Sequence, residues 1–202
     1  MTDCGCELEA EGDEQRKTLR VVLAINAAMF FVEIIAGVLA SSTGLIADSL
    51  DMLADANVYA ISLYALGQAA TIRRNAATAS GLLQIVLGIG VLVEAVRRFI
   101  GGGEPIGVAM MAMGVVALIA NAICLRLISR HKAGDVNFRA SYIFSANDVI
   151  ANIGVIISGL LVFLLESQIP AVVIGVLISA IVVRGGFKIL NEAKKSVRVA
   201  DS

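Results

Sequence analysis

Hydrophobic residues fill six long stretches of the chain, and short polar stretches separate them. The apolar stretches cover roughly residues 21–40, 46–70, 79–100, 107–129, 140–165 and 169–190. Each is long enough for the ~20 residues that a membrane-spanning helix requires. No stretch alternates apolar and polar residues as a barrel strand does. The pattern therefore predicts an all-α membrane protein with six transmembrane helices.

The polar breaks divide the chain into one membrane unit and two short ends. The breaks read SSTG, RRN, GGGEP, SRHKAGD and ESQIP, at residues 41–44, 73–75, 101–105, 129–135 and 166–170. Residues 1–18 are polar and acidic and lack the basic start of a signal peptide. We expect a disordered cytoplasmic tail at 1–18, a transmembrane unit at 19–192 and a short cytoplasmic tail at 193–202.

The distribution of Lys and Arg predicts the orientation. With six spans, only Arg97 and Arg98 fall on one side of the membrane, and every other Lys and Arg falls on the opposite side. Basic residues concentrate in cytoplasmic loops. Both termini are therefore expected in the cytoplasm, and the protein is expected to be a multi-pass protein of the inner (cytoplasmic) membrane.

Composition supports a lipid environment and argues against other classes. Of the 202 residues, 58% are hydrophobic and 16% charged, whereas soluble domains average about 45–50% and about 25%. The net charge of −1 and the absence of Trp give no sign of a nucleic-acid partner. Three scattered cysteines cannot form a disulfide framework. No resident cofactor is expected.

Three carboxylates interrupt the second span. Asp48, Asp51 and Asp55 are three, four and seven residues apart, so they share one helix face. Asp51 and Asp55 are separated by about 6 Å along the axis, which lets both reach one cation. A charged Asp at mid-membrane costs about 2.5–3.5 kcal/mol. The stripe should therefore face the bundle interior and meet water, a cation or a donor.

The fifth span carries a second polar patch, SANDVIAN. Asp148 and Asn152 share a face, and Asn147 lies about 100° away around the helix. With Ser145 nearby, the two spans together offer oxygen ligands for a divalent cation. Such a site can exchange the cation for protons, since carboxylates brought together bind protons once the metal has left. Helix capping or packing through hydrogen bonds is the alternative interpretation.

The two patches resemble the motifs of the cation diffusion facilitators. In that family the second span carries a small residue, Asp, two residues, His or Asp, three residues and Asp, and the chain has Ala47, Asp48, Asp51 and Asp55 at those places. In the fifth span Asp148 matches the second ligand of the family's pair. The run Asp135, Asn137, Arg139 and Ala140 also resembles the family's loop before the fifth span. Glu33 and Asn121 fall where the family tends to carry polar residues. Asn26 in the first span is matched by Asn121 in the fourth, a weak echo between the two halves.

The resemblance implies a six-span exporter of divalent metal, of the zinc, cadmium and cobalt type, that exchanges the ion for protons by alternating access and works as a homodimer. Asp51, Asp55 and Asp148 would be ligands, and Asn147 would complete the shell. Asp48, Ser145, Asn152 and Asn26 would be secondary groups. The transported ion, expected to be zinc, is substrate rather than cofactor.

Departures from the family pattern bear on these expectations. Phe144 stands where the other ligand of the fifth span should be, so Asn147, Ser145 or water must replace it. Few residues follow the sixth span, so we expect the family's C-terminal cytoplasmic domain to be absent. A dimer would then be held through the spans, for example at Gly88 and Gly90. An all-oxygen site would also suit manganese or magnesium.

Other residues could capture metal outside the spans. Cys4 and Cys6 could hand a thiophilic ion to the pore, although an unremarkable pair in a tail is equally consistent with the sequence. His131 and Asp135 could contribute in the loop, but we interpret His131 first as a solvated residue. Cys124 is interpreted as a small interface residue, and Glu94 as a partner of Arg97 or Arg98.

Two other functions are compatible with intramembrane acids. A membrane enzyme that transfers phospho-alcohol groups from nucleotide-activated lipids also uses an Asp-x-x-x-Asp metal motif, but its Asp-Gly and Ala-Arg elements are missing from residues 30–50. A metal-independent channel or proton-coupled antiporter would rely on Glu33 or Glu94 alone. A metal transporter explains both acidic patches, so we expect a transporter and not an enzyme.

Overall fold

The described residues of the protein form a bundle of six helices. The computed structural model describes residues 4–40, 42–101, 108–132, 136–167 and 169–200. The helices are α1 Cys4–Leu39, α2 Thr43–Ala65, α3 Ala70–Gly101, α4 Val108–Ser129, α5 Val136–Leu165 and α6 Ile169–Ala200. The described part contains no strand, which confirms the predicted all-α class.

Five of these helices are long and apolar enough to cross a membrane, namely α1, α3, α4, α5 and α6. The exception, α2, carries the three aspartates, which lower its hydropathy. Large apolar side chains such as Phe31, Ile35 and Val38 on α1 stay exposed at helical spacing. Because a soluble protein would not leave such a continuous apolar surface uncovered, these outward faces fit a multi-pass membrane protein.

The boundary between α2 and α3 differs from the predicted spans. The chain turns after α2 at Leu66–Ala69, where Gly67 has φ 78°, and not at the predicted RRN break. Glycine adopts this left-handed conformation without steric cost, which ends α2 in the usual way. Arg73 and Arg74 therefore belong to the first turns of α3.

The two ends expected to be tails are helical where they are described. α1 begins at Cys4 rather than near residue 19, and α6 continues to Ala200. Residues 7–20 are rich in Glu, Gln, Lys, Arg and Leu, which favour a helix, and they extend one that is already nucleated in the packed span.

Close backbone contacts join α3 to α6, the most extensive pair in the bundle. A Cβ on Gly186 would lie 2.8 Å from the Gly81 carbonyl oxygen, and one on Gly88 would lie 3.1 Å from the Val183 nitrogen. Small residues allow this approach between membrane helices. Gly88, which the sequence suggested for a dimer interface, is therefore used within the chain, whereas a Cβ on Gly90 would meet nothing within 4 Å.

The centre of the bundle is formed by α2 and α5. α2 contacts α1, α3, α4 and α5, and α5 contacts α2, α3, α4 and α6. The two helices are also joined by a hydrogen bond between the Ser62 and Ser141 hydroxyls, 2.8 Å, and by one from the Asn137 amide to the Ser62 carbonyl, 3.2 Å. The two helices that carry the acidic patches therefore pack against each other.

Candidate metal centre

The three aspartates of α2 differ in how far they are buried. α2 begins after the α1–α2 turn, where the Ser42 hydroxyl accepts a hydrogen bond from the Leu45 amide and caps the helix. Asp48 is half-buried, Asp51 is exposed, and Asp55 retains only 3% of its accessible surface. The acidic stripe therefore leads from the α1–α2 end of the bundle to its centre.

Asp55 meets Asp148 of α5 at that centre. The two carboxyl groups are close enough for a side-chain hydrogen bond, and Asp51 also interacts electrostatically with both. The Asp148 Oδ2 atom is buried and has no hydrogen-bond partner. Two carboxylates this close repel each other when both are charged, so a proton or a cation between them lowers the energy.

Apolar packing closes the bundle on the other side of this pair. Tyr59, one turn beyond Asp55, is buried and lies next to Asp55, Asp148 and Ser145. Tyr59 belongs to a buried group that we call the plug cluster, made of Leu19, Val22, Tyr59, Leu66, Cys124, Ile128 and Phe138. These residues lie toward the α2–α3 end.

Two further helices bring polar side chains to the same place. Asn26 of α1 and Cys124 of α4 are both fully buried, and the Asn26 amide donates to the Cys124 sulfur at 3.4 Å and to the Val22 carbonyl oxygen at 2.9 Å. Cys124 interacts electrostatically with Asp55 and Asp148. Side chains of α1, α2, α4 and α5 therefore converge on one point.

The remaining predicted groups of the fifth span are placed differently. A Cβ on Gly185 would overlap with the Asn147 amide, so this side chain packs against α6, as its position about 100° from Asp148 allows. Asn152 is half-buried one turn beyond Asp148. Phe144 is fully buried in an apolar cluster with Val58 and Ile189, which explains an aromatic residue at this position.

A second acidic group lies closer to the α1–α2 end. Glu33 of α1 is fully buried, neither of its carboxylate oxygens has a hydrogen-bond partner, and it interacts electrostatically with Asp48 and Asp51. Glu94 differs, since it forms a two-pronged ion pair with Arg97 at 2.8 and 2.9 Å, as expected.

The candidate capture residues give a mixed result. His131 is not a solvated residue: its Nε2 lies 3.2 Å from the Thr18 hydroxyl, and its ring packs edge-on against Phe138 at 5.6 Å between centroids. Imidazole buries its apolar edge while its nitrogen keeps a partner. Cys4 and Cys6 lie in the first turn of α1, and Asp135 lies outside the described residues.

The buried positions of Cys124, Tyr59 and Gln84 were not predicted as part of the polar core. Gln84 of α3 is buried, and neither polar atom of its amide has a partner. An isolated amide within the apolar run SGLLQIVL was the available signal. For Cys124 and Tyr59 no local signal exists, because their importance comes from which helices lie next to each other.

The site can therefore offer the oxygens of two carboxylates to a cation. Among the described residues, no three His, Cys, Asp or Glu side chains already form a cation-binding set. The Asp55–Asp148 pair supplies two ligands, and further ligands need small side-chain movements or water, as is common for cations held by oxygen.

Ionisable residues buried between membrane helices mark functional sites such as ion pathways and proton relays, and the Asp55–Asp148 pair fits that class of membrane protein. The sequence makes this class specific. The profile of the cation efflux transmembrane domain matches residues 19–197, and the chain belongs to that family.

Curated relatives of the chain are bacterial metal transporters. The zinc transporter ZitB of Yersinia pseudotuberculosis is 24% identical over 197 residues, which are 90% of this chain and 62% of the relative. The metal cation efflux system protein CzcD of Cupriavidus metallidurans is 27% identical over 158 residues, 72% of this chain and 50% of the relative.

The name of a third relative includes two coupling ions. The cadmium, cobalt and zinc/H(+)-K(+) antiporter of Bacillus velezensis is 21% identical over 196 residues, 90% of this chain and 63% of the relative. The chain thus spans about half to three-fifths of the length of these curated relatives. The family resemblance expected from the sequence is confirmed.

Proposed function

We propose that the protein exports a divalent metal ion of the zinc, cadmium and cobalt type in exchange for protons. The observation that carries this proposal is the direct meeting of Asp55 and Asp148 at the centre of the bundle, with a buried Asp148 oxygen left unpartnered. A dication between the two carboxylates neutralises both, and protons neutralise them when it leaves.

The burial of the residues on either side of the pair supports access from one side, as alternating access requires. Asp51 is exposed toward the α1–α2 end, while the plug cluster fills the α2–α3 end. With both termini on the cytoplasmic side of the inner membrane, the α1–α2 end of the bundle faces outward. The conformation described would then release metal to the outside, and movement of the plug cluster would open the site to the cytoplasm.

Asp51 and Asp48 fit the role of an exit path rather than a fixed shell. A cation leaving Asp55 and Asp148 meets Asp51 one turn away, then Asp48 and Glu33. A row of acids keeps the ion partly neutralised as it approaches water, which lowers the energetic barrier to release.

The flux of metal and protons in liposomes tests the proposal. In vesicles that contain a zinc indicator and a pH indicator, the parent protein should move zinc one way and protons the other. Asp55→Asn keeps the size of the side chain but removes its charge, so both fluxes should disappear. Asp13→Asn makes the same change at an exposed site on α1 and should leave both fluxes unchanged.

Other outcomes would favour other functions. Proton flux that needs Glu33 but is independent of metal would support a metal-independent antiporter. A transferase product from labelled nucleotide-activated lipid would support the enzyme. Loss of metal and proton flux in Asp13→Asn, as well as in Asp55→Asn, would show that the assay reports folding and not the site.

A further inference from the structure

The outward face of α6 changes from apolar to basic along its length. Val173, Leu177 and Ile181 are exposed, and the exposed Arg184 and Lys188 follow them. Each of these residues is three or four positions from the next, so all five lie on one face of the helix. We call this surface the basic face of α6.

The basic face points away from the rest of the bundle. α6 presents Gly185 to Asn147 of α5 and Gly186 to Gly81 of α3. At 100° per residue, Arg184 is turned by about 100° from Gly185 and by about 160° from Gly186. Its side chain therefore faces what surrounds the bundle, which is lipid in a membrane protein.

The two basic residues lie near one end of the membrane span. A span of ~20 residues that begins at Ile169, the first residue of α6, ends near Lys188. Arg184 then lies about 6 Å deeper, at 1.5 Å per residue. A charged side chain against lipid hydrocarbon is unfavourable unless it reaches the headgroup region and meets an opposite charge there.

The described part of the chain offers no opposite charge to these two residues. Neither Arg184 nor Lys188 forms an ion pair within it. Glu192, the next acid along α6, is already paired with Arg139 of α5 at 3.1 Å. An anion from outside the chain would therefore complete this surface.

We propose that the basic face of α6 binds an anionic phospholipid. The phosphate lies between Arg184 and Lys188, and an acyl chain lies along Ile181 and Leu177. A guanidinium matches phosphate oxygens with two parallel hydrogen bonds, and the ammonium adds a point charge. Basic side chains at the end of a membrane helix are a typical setting for lipid headgroups.

A second copy of the chain is less suited to this face. Two copies related by an axis along the membrane normal meet at equal depths. Because Asn147 packs against Gly185, Arg184 lies at the depth of Asp148. The Asp148 Oδ2 atom is buried inside the bundle, as is the Asp55 side chain. These acids are therefore not available to a neighbouring copy.

The first test is thermal unfolding of the full chain in a neutral detergent. Dioleoylphosphatidylglycerol should raise the melting temperature by at least about 2 °C more than dioleoylphosphatidylcholine, which has the same acyl chains and no net charge. Arg184→Gln/Lys188→Gln should lose this difference. Lys132→Gln/Lys194→Gln removes two exposed charges outside the basic face and should keep it. Loss in both double variants, or in neither, would overturn the proposal.

The second test locates the lipid by fluorescence, since the chain contains no Trp. Ile181→Trp places a reporter on the basic face, and Ile119→Trp makes the same change at an exposed site on α4, which has no contact with α6 in the described residues. In phosphatidylcholine vesicles, brominated phosphatidylglycerol should quench the first reporter at least about threefold more strongly than brominated phosphatidylcholine does. The two lipids should quench the second reporter equally.

The charge variant serves as the control for this measurement. Adding Arg184→Gln/Lys188→Gln to Ile181→Trp should abolish the preference for phosphatidylglycerol. Equal quenching of Ile181→Trp by the two lipids in the otherwise unchanged chain would contradict the proposal.

The oligomeric state separates lipid binding from contact between copies. Light scattering in detergent should give the same mass for the parent and for Arg184→Gln/Lys188→Gln. A parent dimer that becomes monomeric in this variant, with no preference for phosphatidylglycerol, would make the face an interface between copies and overturn the proposal. Neither residue belongs to the metal centre, so such a result would leave the proposed function standing.

Discussion

At the scale of single residues, the protein depends on charged groups that lipid would not tolerate alone. Asp55 is buried beside Asp148, and Glu33 is buried with both oxygens unpartnered. Each charged carboxylate at mid-membrane costs about 2.5–3.5 kcal/mol. Under the proposed function, ions and protons would neutralise these carboxylates in turn.

This exchange predicts a pH dependence of metal binding. Protons and metal compete for the same carboxylate oxygens, so zinc affinity should fall as the pH is lowered and recover when it is raised. Calorimetric titration at several pH values measures the effect, and the heat measured in buffers of different ionisation enthalpy counts the protons released. Zinc binding that is independent of pH, with no proton release, would contradict the exchange.

At the scale of helices, close packing of α3 on α6 forms a framework beside the site. Gly81, Gly88 and Gly186 allow backbones to approach within contact distance, and Arg139 of α5 pairs with Glu192 of α6 at 3.1 Å. The polar face of α2 forms the centre of the bundle. The contact between α2 and α3 is less extensive than the contact between α3 and α6. We infer that α3 and α6 stay together when the site changes its access.

The two neighbouring glycines of α3 provide a matched test of this packing. Gly88→Leu places atoms against the Val183 backbone and should destabilise the protein by about 1–3 kcal/mol through overpacking. Gly90→Leu makes the same change where nothing lies within 4 Å. Thermal unfolding in detergent should show a lower melting temperature for the first variant only. Equal melting temperatures would show that α3 and α6 are not tightly packed.

The helices were predictable to the extent that their signals are local. Apolar length and the i, i+4 spacing of Asp51 and Asp55 predicted the class and the acidic face of α2. The end of α2 was misplaced because Leu66–Ala70 is nearly as apolar as the helix itself, so only Gly67 marks the turn. The neighbours of Cys124 and the direction of Asn147 depend on helix packing, which no local pattern encodes.

At the scale of the whole molecule, the two ends of the bundle differ in the side chains that they carry. The acidic stripe reaches the surface at the α1–α2 end, and the plug cluster seals the α2–α3 end. His131 bonded to Thr18 adds a contact between the α4–α5 turn and α1 at the closed end. The proposed function predicts such an asymmetry for one access state.

The orientation of this opening can be measured in intact cells. In a background with all three cysteines replaced, Ser42→Cys lies at the α1–α2 turn and Asn75→Cys lies near the start of α3. With the termini in the cytoplasm, a membrane-impermeant maleimide should label position 42 from outside, and position 75 only after the cells are permeabilised. The reverse pattern would invert the proposed topology.

The most direct test of the account is zinc binding to Asp55→Asn, Asp148→Asn and the double variant. Loss of an outer-shell partner already costs about 10–100-fold in metal affinity, so each single variant should lose more than that. Because both carboxylates would hold one ion, the double variant should lose little beyond either single variant. Zinc affinity in either single variant equal to that of the parent would contradict the account.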